Sequence, residues 1–140
     1  MNFLDTNILL YALSTDRAEV RKAARARQLL DQTDCAVSVQ VLQEFYVQAT
    51  RESKPDRITH DQAVTLIRSW ERFKVQEINS EIMHAAFRTK NRFRIAYWDA
   101  AIVEAARTAG CSLVYSEDLN DGQDFGGVRV ENPFRREREL

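Results

Sequence analysis

The amino end of the chain passes from a strand pattern to a helix pattern across one acidic turn. The apolar run Phe3-Leu4 meets Asp5-Thr6-Asn7, and a longer apolar segment, Ile8 to Leu13, follows at once. This pattern predicts a buried strand, a turn and a helix, with Asp5 at the carboxyl end of the strand. In α/β sheets that edge collects ligands, because helix amino ends point into it. Taken alone, the position favours the commoner role of a helix cap for Asp5 or Thr6.

Short apolar runs alternate with helix patterns along the rest of the chain. Further strands are predicted at 35–37, 74–78 and 111–115, and helices at 17–31, 39–51, 59–70, from 79 or 80 onward, and 97–108. This alternation predicts an α/β fold in which helices cover both faces of a central, mostly parallel sheet of four to five strands. Right-handed crossovers would then bring the carboxyl ends of the strands to one edge.

Asp99 lies in the first turn of the helix predicted for 97–108. On that helix Ile102, Val103 and Ala106 share its face, so the carboxylate lies beside the core. Burying an ionised acid is unfavourable unless it is paired or bound to a cation. A first-turn acid that interacts with the helix dipole is the alternative. The balance favours a functional role for Asp99.

Asp118 and Glu44 complete the candidate cluster. Asp118 follows the last long apolar run, so it reaches the same sheet edge as Asp5. Glu44 shares the polar side of its helix with Gln40, and that pattern alone slightly favours an exposed surface acid. Aligned strand ends would nevertheless bring the three aspartates together, with Glu44 near enough to join them.

Such a cluster predicts a bound cation. Carboxylates repel each other by about 4 kcal/mol per close pair at an effective dielectric constant near 20. A cation offsets this repulsion, and oxygen-only ligation without His or Cys selects hard Mg²⁺ or Mn²⁺. These ions usually hold waters and phosphate oxygens as well.

Net charge neither supports nor excludes a nucleic-acid partner. The 140 residues, enough for one domain, carry a formal net charge of −1, so contact with nucleic acid would have to come from a local patch. The candidate patch interleaves basic residues with Phe93, Tyr97 and Trp98, and its basic members are Arg88, Lys90, Arg92 and Arg94. This composition is typical of an edge that contacts phosphates and stacks bases. A solvated loop is an equally good interpretation.

The positions of the cysteines and histidines predict structural or surface roles and not catalytic or metal-binding ones. Cys35 and Cys111 lie in or beside apolar runs, which predicts buried core thiols in a reducing cytosol. His60 and His84 lack ligand spacing and are expected to be structural or surface residues. The amino end has no basic segment, and no apolar run approaches the roughly 20 residues of a membrane span. The expectation is a soluble, cytoplasmic protein.

The acidic stretches together resemble the PIN-domain ribonucleases and, within them, the VapC-type toxins of bacterial toxin–antitoxin pairs. Four stretches in the same order and spacing carry the resemblance: Phe3-Leu4-Asp5-Thr6-Asn7, Ser38-Val39-Gln40-Val41-Leu42-Gln43-Glu44-Phe45, Tyr97-Trp98-Asp99-Ala100 and Ser116-Glu117-Asp118-Leu119. The segment 126–134 resembles the family's last strand. The resemblance implies a PIN-like three-layer fold over residues 1–134, with 135–140 as a charged, flexible tail.

The resemblance also assigns roles to individual residues. The family's acidic, catalytic positions are occupied by Asp5, Glu44, Asp99 and Asp118. The supporting polar positions are occupied by Thr6, Asn7, Ser38 and Ser116. The three aspartates would bind metal, and Asp121, three residues beyond Asp118, is a further candidate ligand. This assignment moves Glu44 from the surface to the site.

The implied activity is Mg²⁺- or Mn²⁺-dependent endonucleolytic cleavage of RNA, in which metal-bound water attacks phosphorus in line. A homodimer and a small antitoxin whose tail crosses the helices are implied with it. The helices near 8–13 and 39–49 carry more apolar groups than one buried stripe each would use, which agrees with a partner groove. Two alternatives stay open: a related nuclease that acts on DNA, and a non-catalytic interaction module whose acids bind a structural cation or nothing.

Overall fold

Five parallel strands form the centre of the computed structural model, which describes residues 1–135. The order across the sheet is β3-β2-β1-β4-β5. The strands are β1 Asn2–Leu4, β2 Cys35–Ser38, β3 Lys74–Gln76, β4 Leu113–Tyr115 and β5 Arg129–Glu131. The predicted parallel α/β architecture is therefore confirmed, and the segment that resembles a final family strand does form β5.

Helices connect the strands and cover the sheet. They are α1 Thr6–Ala12, α2 Val20–Leu30, α3 Val39–Ala49, α4 His60–Trp70, α5 Ser80–Phe93 and α6 Tyr97–Thr108, with one turn of 3-10 helix, Arg17–Glu19, before α2. Polar side chains fix several of the starts: Asp5 caps α1 and Ser38 caps α3. Thr59 forms both halves of a capping box with Gln62 at the start of α4, as its spacing predicts.

β1 is the central strand of the sheet, and strands are added first on one side of it and then on the other. From β1 the chain builds β2 and β3 on one side, and then β4 and β5 on the other. The register pairs Leu4 with Tyr115, and the Asp5 N–H donates to the Tyr115 carbonyl at 3.1 Å. Asp5 and the turn after β4 therefore lie side by side, at the position where open α/β sheets bind ligands.

Two helices are rotated relative to the faces that their sequence patterns predict. On α3 the helical spacing predicts a core side of Val39, Leu42, Tyr46 and Ala49. Leu42 and Ala49 are buried as predicted, but Val39 and Tyr46 are only partly buried, and Val41 and Phe45 are the fully buried residues. On α5 the spacing predicts an apolar stripe of Ile82, Met83, Ala86 and Phe87, of which Ile82 and Ala86 are buried and Met83 and Phe87 are exposed. Both helices thus leave apolar side chains on the surface.

The cysteines and histidines have the structural or surface roles that their sequence positions predict. Cys35 and Cys111 are buried free thiols. His60 accepts or donates a hydrogen bond with the Tyr46 hydroxyl at 2.8 Å, and His84 stacks edge-on against Phe87. Within residues 1–135 no helix is both long and apolar enough to cross a membrane. The predicted tail, 135–140, lies outside the described residues apart from Arg135.

Candidate active site

Asp5 both caps α1 and forms the floor of the site, so its two sequence-level interpretations are compatible. It is only 6% exposed. The Thr6 N–H donates to its Oδ1 and the Ser116 hydroxyl donates to its Oδ2, each at 2.7 Å. Burial raises the pKa of this carboxyl to about 6, and the charges of Asp118 and Glu44 add to the rise, against the lowering effect of the two hydrogen bonds.

Ser116 also shapes the turn that carries Asp118. While its hydroxyl donates to Asp5, its oxygen accepts from the N–H groups of Asp118 and Leu119, at 3.2 and 3.3 Å. One hydroxyl therefore joins the ends of β1 and β4 and fixes the backbone at Asp118. This is the supporting position that the resemblance implies for Ser116.

Glu44 is held at the site by two donors. The Thr6 hydroxyl donates to its Oε2 at 3.2 Å, and the Gln40 amide donates to its Oε1 at 2.6 Å. Gln40 is itself buried, and its amide also lies 3.4 Å from the Trp98 carbonyl at the start of α6. The Gln40 and Glu44 side chains thus face α1 and α6 instead of bulk solvent.

Sequence reasoning missed the role of Gln40. Its helical pattern predicts a place on the polar outer side of α3, together with Glu44. The available signal was the spacing of an amide four residues before an acid, since side chains at i and i+4 meet on one helix face.

Asp99 is half-buried in the first turn of α6. Burial raises the pKa of its carboxyl, and the charges of Asp118 and Glu44 raise it further. Two of the four acids, Asp5 and Asp99, therefore carry electrostatic strain that an external cation would relieve.

One cavity of about 80 Å³ brings the acids together. Its lining consists of Asp5, Thr6, Asn7, Leu10, Glu44, Gln48, Trp98, Asp99, Ile102 and Asp118. It contains all four predicted catalytic acids and two of the four predicted supporting residues. Ser38 lies elsewhere and acts through the backbone, because its hydroxyl accepts from the Val41 N–H at the start of α3.

The chemistry of the cavity lining suits a hard divalent cation. Its charged donors are all carboxylates, and its volume exceeds the roughly 30 Å³ that one water occupies in the liquid. Among residues 1–135, no three His, Cys, Asp or Glu side chains are arranged to hold one metal directly. Mg²⁺ retains several of its waters when proteins bind it, so a few carboxylates around a hydrated ion meet its requirements.

Among the described residues, Asn7 in the cavity lining carries a buried side-chain atom without a hydrogen-bond partner. Its Oδ1 accepts from the Glu117 N–H at 3.3 Å, while its Nδ2 is buried with no protein partner among the described residues. A buried amide donor without a partner is unfavourable by about 1–3 kcal/mol. It fits a site that receives a water or a phosphate oxygen.

Asp121 does not join the cluster. Its Oδ1 accepts from the Asn132 N–H at 2.7 Å, and its Oδ2 pairs with Arg135 at 2.8 Å. The Asn132 N–H is the main cause of the lowered pKa of this carboxyl, with Arg135 contributing. Asp121 lines a separate cavity with Arg25 and Arg129. The expectation of a further metal contact from Asp121 is corrected: both of its oxygens fasten the loop after β4 to the carboxyl end of the described chain.

The predicted basic patch follows the end of α5. Arg88, Lys90, Arg92 and Arg94 are exposed, and none of them lines the acidic cavity. Arg94 ends the helix with a left-handed backbone, φ 55°, and its N–H donates to the Lys90 carbonyl at 2.8 Å. The Arg92 guanidinium lies 4.8 Å from the centre of the Phe93 ring. Contact between this patch and RNA stays a prediction.

An ionic contact beside the site, between Glu117 and Lys22, was not predicted from the sequence. Glu117 precedes Asp118 and accepts from the Tyr11 hydroxyl at 2.5 Å and from Lys22 at 2.6 Å. The Lys22 ammonium also lies 5.0 Å from the centre of the Tyr11 ring. The basic residues of α2, Lys22 among them, have the sequence pattern of a solvated helix face. In the structure, Lys22 instead connects the Asp118 turn to α1 and α2.

Comparison with known proteins identifies the family. The PIN domain family model matches residues 3–121, and the chain belongs to this family. The resemblance to PIN domains is thereby confirmed. No curated protein matches the sequence.

Solved structures with the same fold include a toxin–antitoxin complex and a toxin. A toxin–antitoxin complex from Klebsiella pneumoniae is 20% identical, with a TM-score of 0.68 over 96% of this chain and 98% of that one. VapC20 from Mycobacterium tuberculosis, described as a toxin that cleaves the sarcin-ricin loop, is 21% identical, with a TM-score of 0.68 over 94% and 99%. FitAcB from Neisseria gonorrhoeae is 19% identical, with a TM-score of 0.67 over 96% and 99%. At these identities the likeness establishes the fold.

Proposed function

We propose that this PIN-domain chain is a metal-dependent endoribonuclease and the toxin of a bacterial toxin–antitoxin pair. The observation that carries the proposal is the convergence of Asp5, Glu44, Asp99 and Asp118 on one small cavity at the carboxyl edge of the sheet. A bound Mg²⁺ or Mn²⁺ would lower the pKa of a water and stabilise charge that develops on phosphate oxygens. Asp5, Asp99 and Asp118 would hold it, partly through the waters that such an ion retains.

The protein's part in this reaction is to position the carboxylates and shape the cavity. Both oxygens of Asp5 and both of Glu44 accept one protein hydrogen bond each, which fixes the two side chains. A carboxylate oxygen has two lone pairs, so each still has one for an ion or a water. Leu10 and Ile102 form apolar parts of the wall and limit the access of bulk water. Orientation and restricted hydration are what phosphoryl chemistry requires from the protein.

Apolar surface supports the proposed antitoxin partner. A cavity of about 600 Å³ lies between α3, α4 and β3, and its lining is Val39, Leu42, Gln43, Tyr46, Val47, Ile67, Glu71, Val75 and Glu77. Val47 is among the exposed large apolar side chains of the domain. An amphipathic helix fits such a groove. The similar structure from Klebsiella pneumoniae is a toxin–antitoxin complex, which supports the same partner, and the homodimer is proposed with it.

The direct test is a cleavage assay with matched RNA and DNA oligonucleotides. EDTA should abolish RNA cleavage, and Mg²⁺ or Mn²⁺ should restore it, whereas Zn²⁺ should do so poorly because the site offers only oxygen ligands. Asp121→Asn is the matched control for variants of the acidic cavity, and it should still cleave. Full activity in excess chelator would exclude the metal dependence, and preference for DNA would favour the alternative nuclease.

A further inference from the structure

A second cavity adjoins the acidic one and has a different character. It measures about 330 Å³, and its lining is Gln40, Gln43, Glu44 and Trp98. Glu44 and Trp98 also line the acidic cavity, so the two spaces share walls. The second cavity therefore lies next to the cavity in which the cation would bind.

Trp98 is held by contacts of its backbone and its ring, and its indole is nevertheless exposed to solvent. It is 65% exposed, the largest exposed fraction among the large apolar side chains described. Its carbonyl lies 3.4 Å from the buried Gln40 amide, and the Tyr97 ring packs against its indole at 4.9 Å, close to perpendicular. Phe87 supports Tyr97 from α5, with ring centres 5.4 Å apart. The indole is thus a supported aromatic surface at the mouth of the site.

The chemistry of this cavity suits a nucleobase. An aromatic ring stacks on any base, whereas an amide can donate to and accept from a base edge. Gln43 supplies an exposed amide to the same lining as Trp98. A volume of about 330 Å³ is within the range of small-ligand sites, roughly 300–1,000 Å³.

We propose that the Trp98–Gln43 cavity binds one unpaired nucleobase of a single-stranded RNA whose adjacent phosphate lies at the acidic cavity. This inference rests on the proposed function and deepens it by naming the substrate class. A base inside a duplex cannot leave its stack without cost, so loops and single-stranded segments are preferred substrates over paired RNA. The Gln43 amide gives the subsite a means to prefer one base over another.

The test measures binding separately from cleavage. Asp5→Asn, in the presence of Mg²⁺, serves as a background that does not cut. The probes are an eight-nucleotide oligouridylate, an eight-nucleotide oligoadenylate and an abasic ribose-phosphate chain of the same length. Oligonucleotides with bases should quench indole fluorescence, and the abasic chain should not. Trp70 is buried and gives a constant background signal.

Substitution of Trp98 should remove this base-dependent binding. Trp98→Leu lacks the reporting indole, so its binding and that of its parent are compared by the fluorescence anisotropy of a label on the probe. It is expected to bind the oligonucleotides about tenfold more weakly, because one stacked base is lost. It should bind the abasic chain as the parent does. Trp98→Phe, which keeps an aromatic ring, should fall between the two. Val20→Ala is the control, since Val20 is also an exposed large apolar residue but lines neither cavity.

The outcomes separate this inference from the proposed function. Equal binding of Trp98→Leu and its parent to oligouridylate and oligoadenylate would overturn the base subsite, whatever the enzyme cleaves. Base-dependent binding without cleavage of any RNA by the unsubstituted protein would overturn the nuclease and leave the subsite. If sedimentation shows that Trp98→Leu converts a dimer into a monomer, a second copy covers the indole and the subsite is overturned.

Discussion

Asp5 and Glu104 are equally buried acids with opposite electrostatic surroundings. They are 6% and 5% exposed. Glu104 pairs with Arg107 at 2.9 Å and accepts from the Thr89 hydroxyl at 2.7 Å, so its charge is compensated within the fold. Asp5 accepts only from neutral groups, and the charges that act on it are those of Asp118 and Glu44. Burial therefore does not distinguish a structural acid from a functional one, whereas the sign of the neighbouring charge does.

The comparison predicts that the two kinds of acid respond to substitution in opposite ways. Asp5→Asn and Asp99→Asn should each reduce cleavage by at least about a hundredfold, because each removes a proposed cation-holding group. Without metal, the same variants should be at least as heat-stable as the unsubstituted protein, since one repelling charge is gone. Cleavage rates and melting temperatures in EDTA measure the two effects. Retained cleavage by Asp99→Asn would refute the assignment of Asp99.

Removal of Arg107, the positive partner of Glu104, should lower the stability of the fold. Arg107→Met leaves the Glu104 carboxylate buried and also removes donors to the carbonyls of Gly126 and Phe125. We expect a loss of about 2–3 kcal/mol in unfolding free energy, below the 3–5 kcal/mol of a fully buried pair because Arg107 is partly exposed. Urea unfolding measures this. A stability change within about 0.5 kcal/mol would show that the pair contributes little and would break the comparison.

The pH dependence of stability gives a third contrast. The folded pKa of Asp5, about 6, lies above the ordinary value of 3.8, so the folded state prefers the protonated form. The contribution of this group is fully present below pH 3.8 and is lost as pH rises through about 6. A shift of this size corresponds to about 3 kcal/mol.

The measurement is the difference in unfolding free energy between Asp5→Asn and the unsubstituted protein, in EDTA, from pH 4.5 to 7.5. The advantage of the variant should grow with pH and level off above about pH 7. Mg²⁺ should reverse this trend by stabilising the ionised carboxylate of the unsubstituted protein. A difference that does not vary with pH would mean that Asp5 has an ordinary pKa.

The sequence alone was sufficient to place the site residues that directly follow a strand. Asp5 and Asp118 are placed by short apolar runs, and parallel pairing fixes their common edge with little freedom. Asp99 is placed by the helical period, which puts its side chain on the core face. These inferences depend on local pattern and on the handedness of crossovers, both of which a single sequence carries.

Helix rotation and long-range pairing could not be predicted in the same way. The polar side of α3 indicates solvent, but in the fold it faces a cavity, so Glu44 needed the family resemblance and Gln40 was missed. Glu117 pairs with Lys22 across 95 positions of the chain, a contact that no local spacing reveals. For Asp121 the spacing from Asp118 indicated proximity, and the turn directs it to Arg135 instead.

Gln40 provides the smallest expected effect and the sharpest test of how the site is positioned. Its amide donates to Glu44 at 2.6 Å, so Gln40→Leu should leave Glu44 in place on α3 but oriented only by the Thr6 hydroxyl. Groups that orient a ligand typically change activity by 10–100-fold, and we expect about tenfold here, in kcat rather than KM. Gln32→Leu, at an exposed position, is the control.

If Gln40 acts through Glu44, the double variant Gln40→Leu/Glu44→Gln should be no slower than Glu44→Gln alone, because the interaction it serves is already lost. Additive losses would mean that Gln40 acts elsewhere, and its second contact, the Trp98 carbonyl, is then the first candidate. That outcome would connect the amide to the position of α6 and Asp99 instead of to the orientation of Glu44.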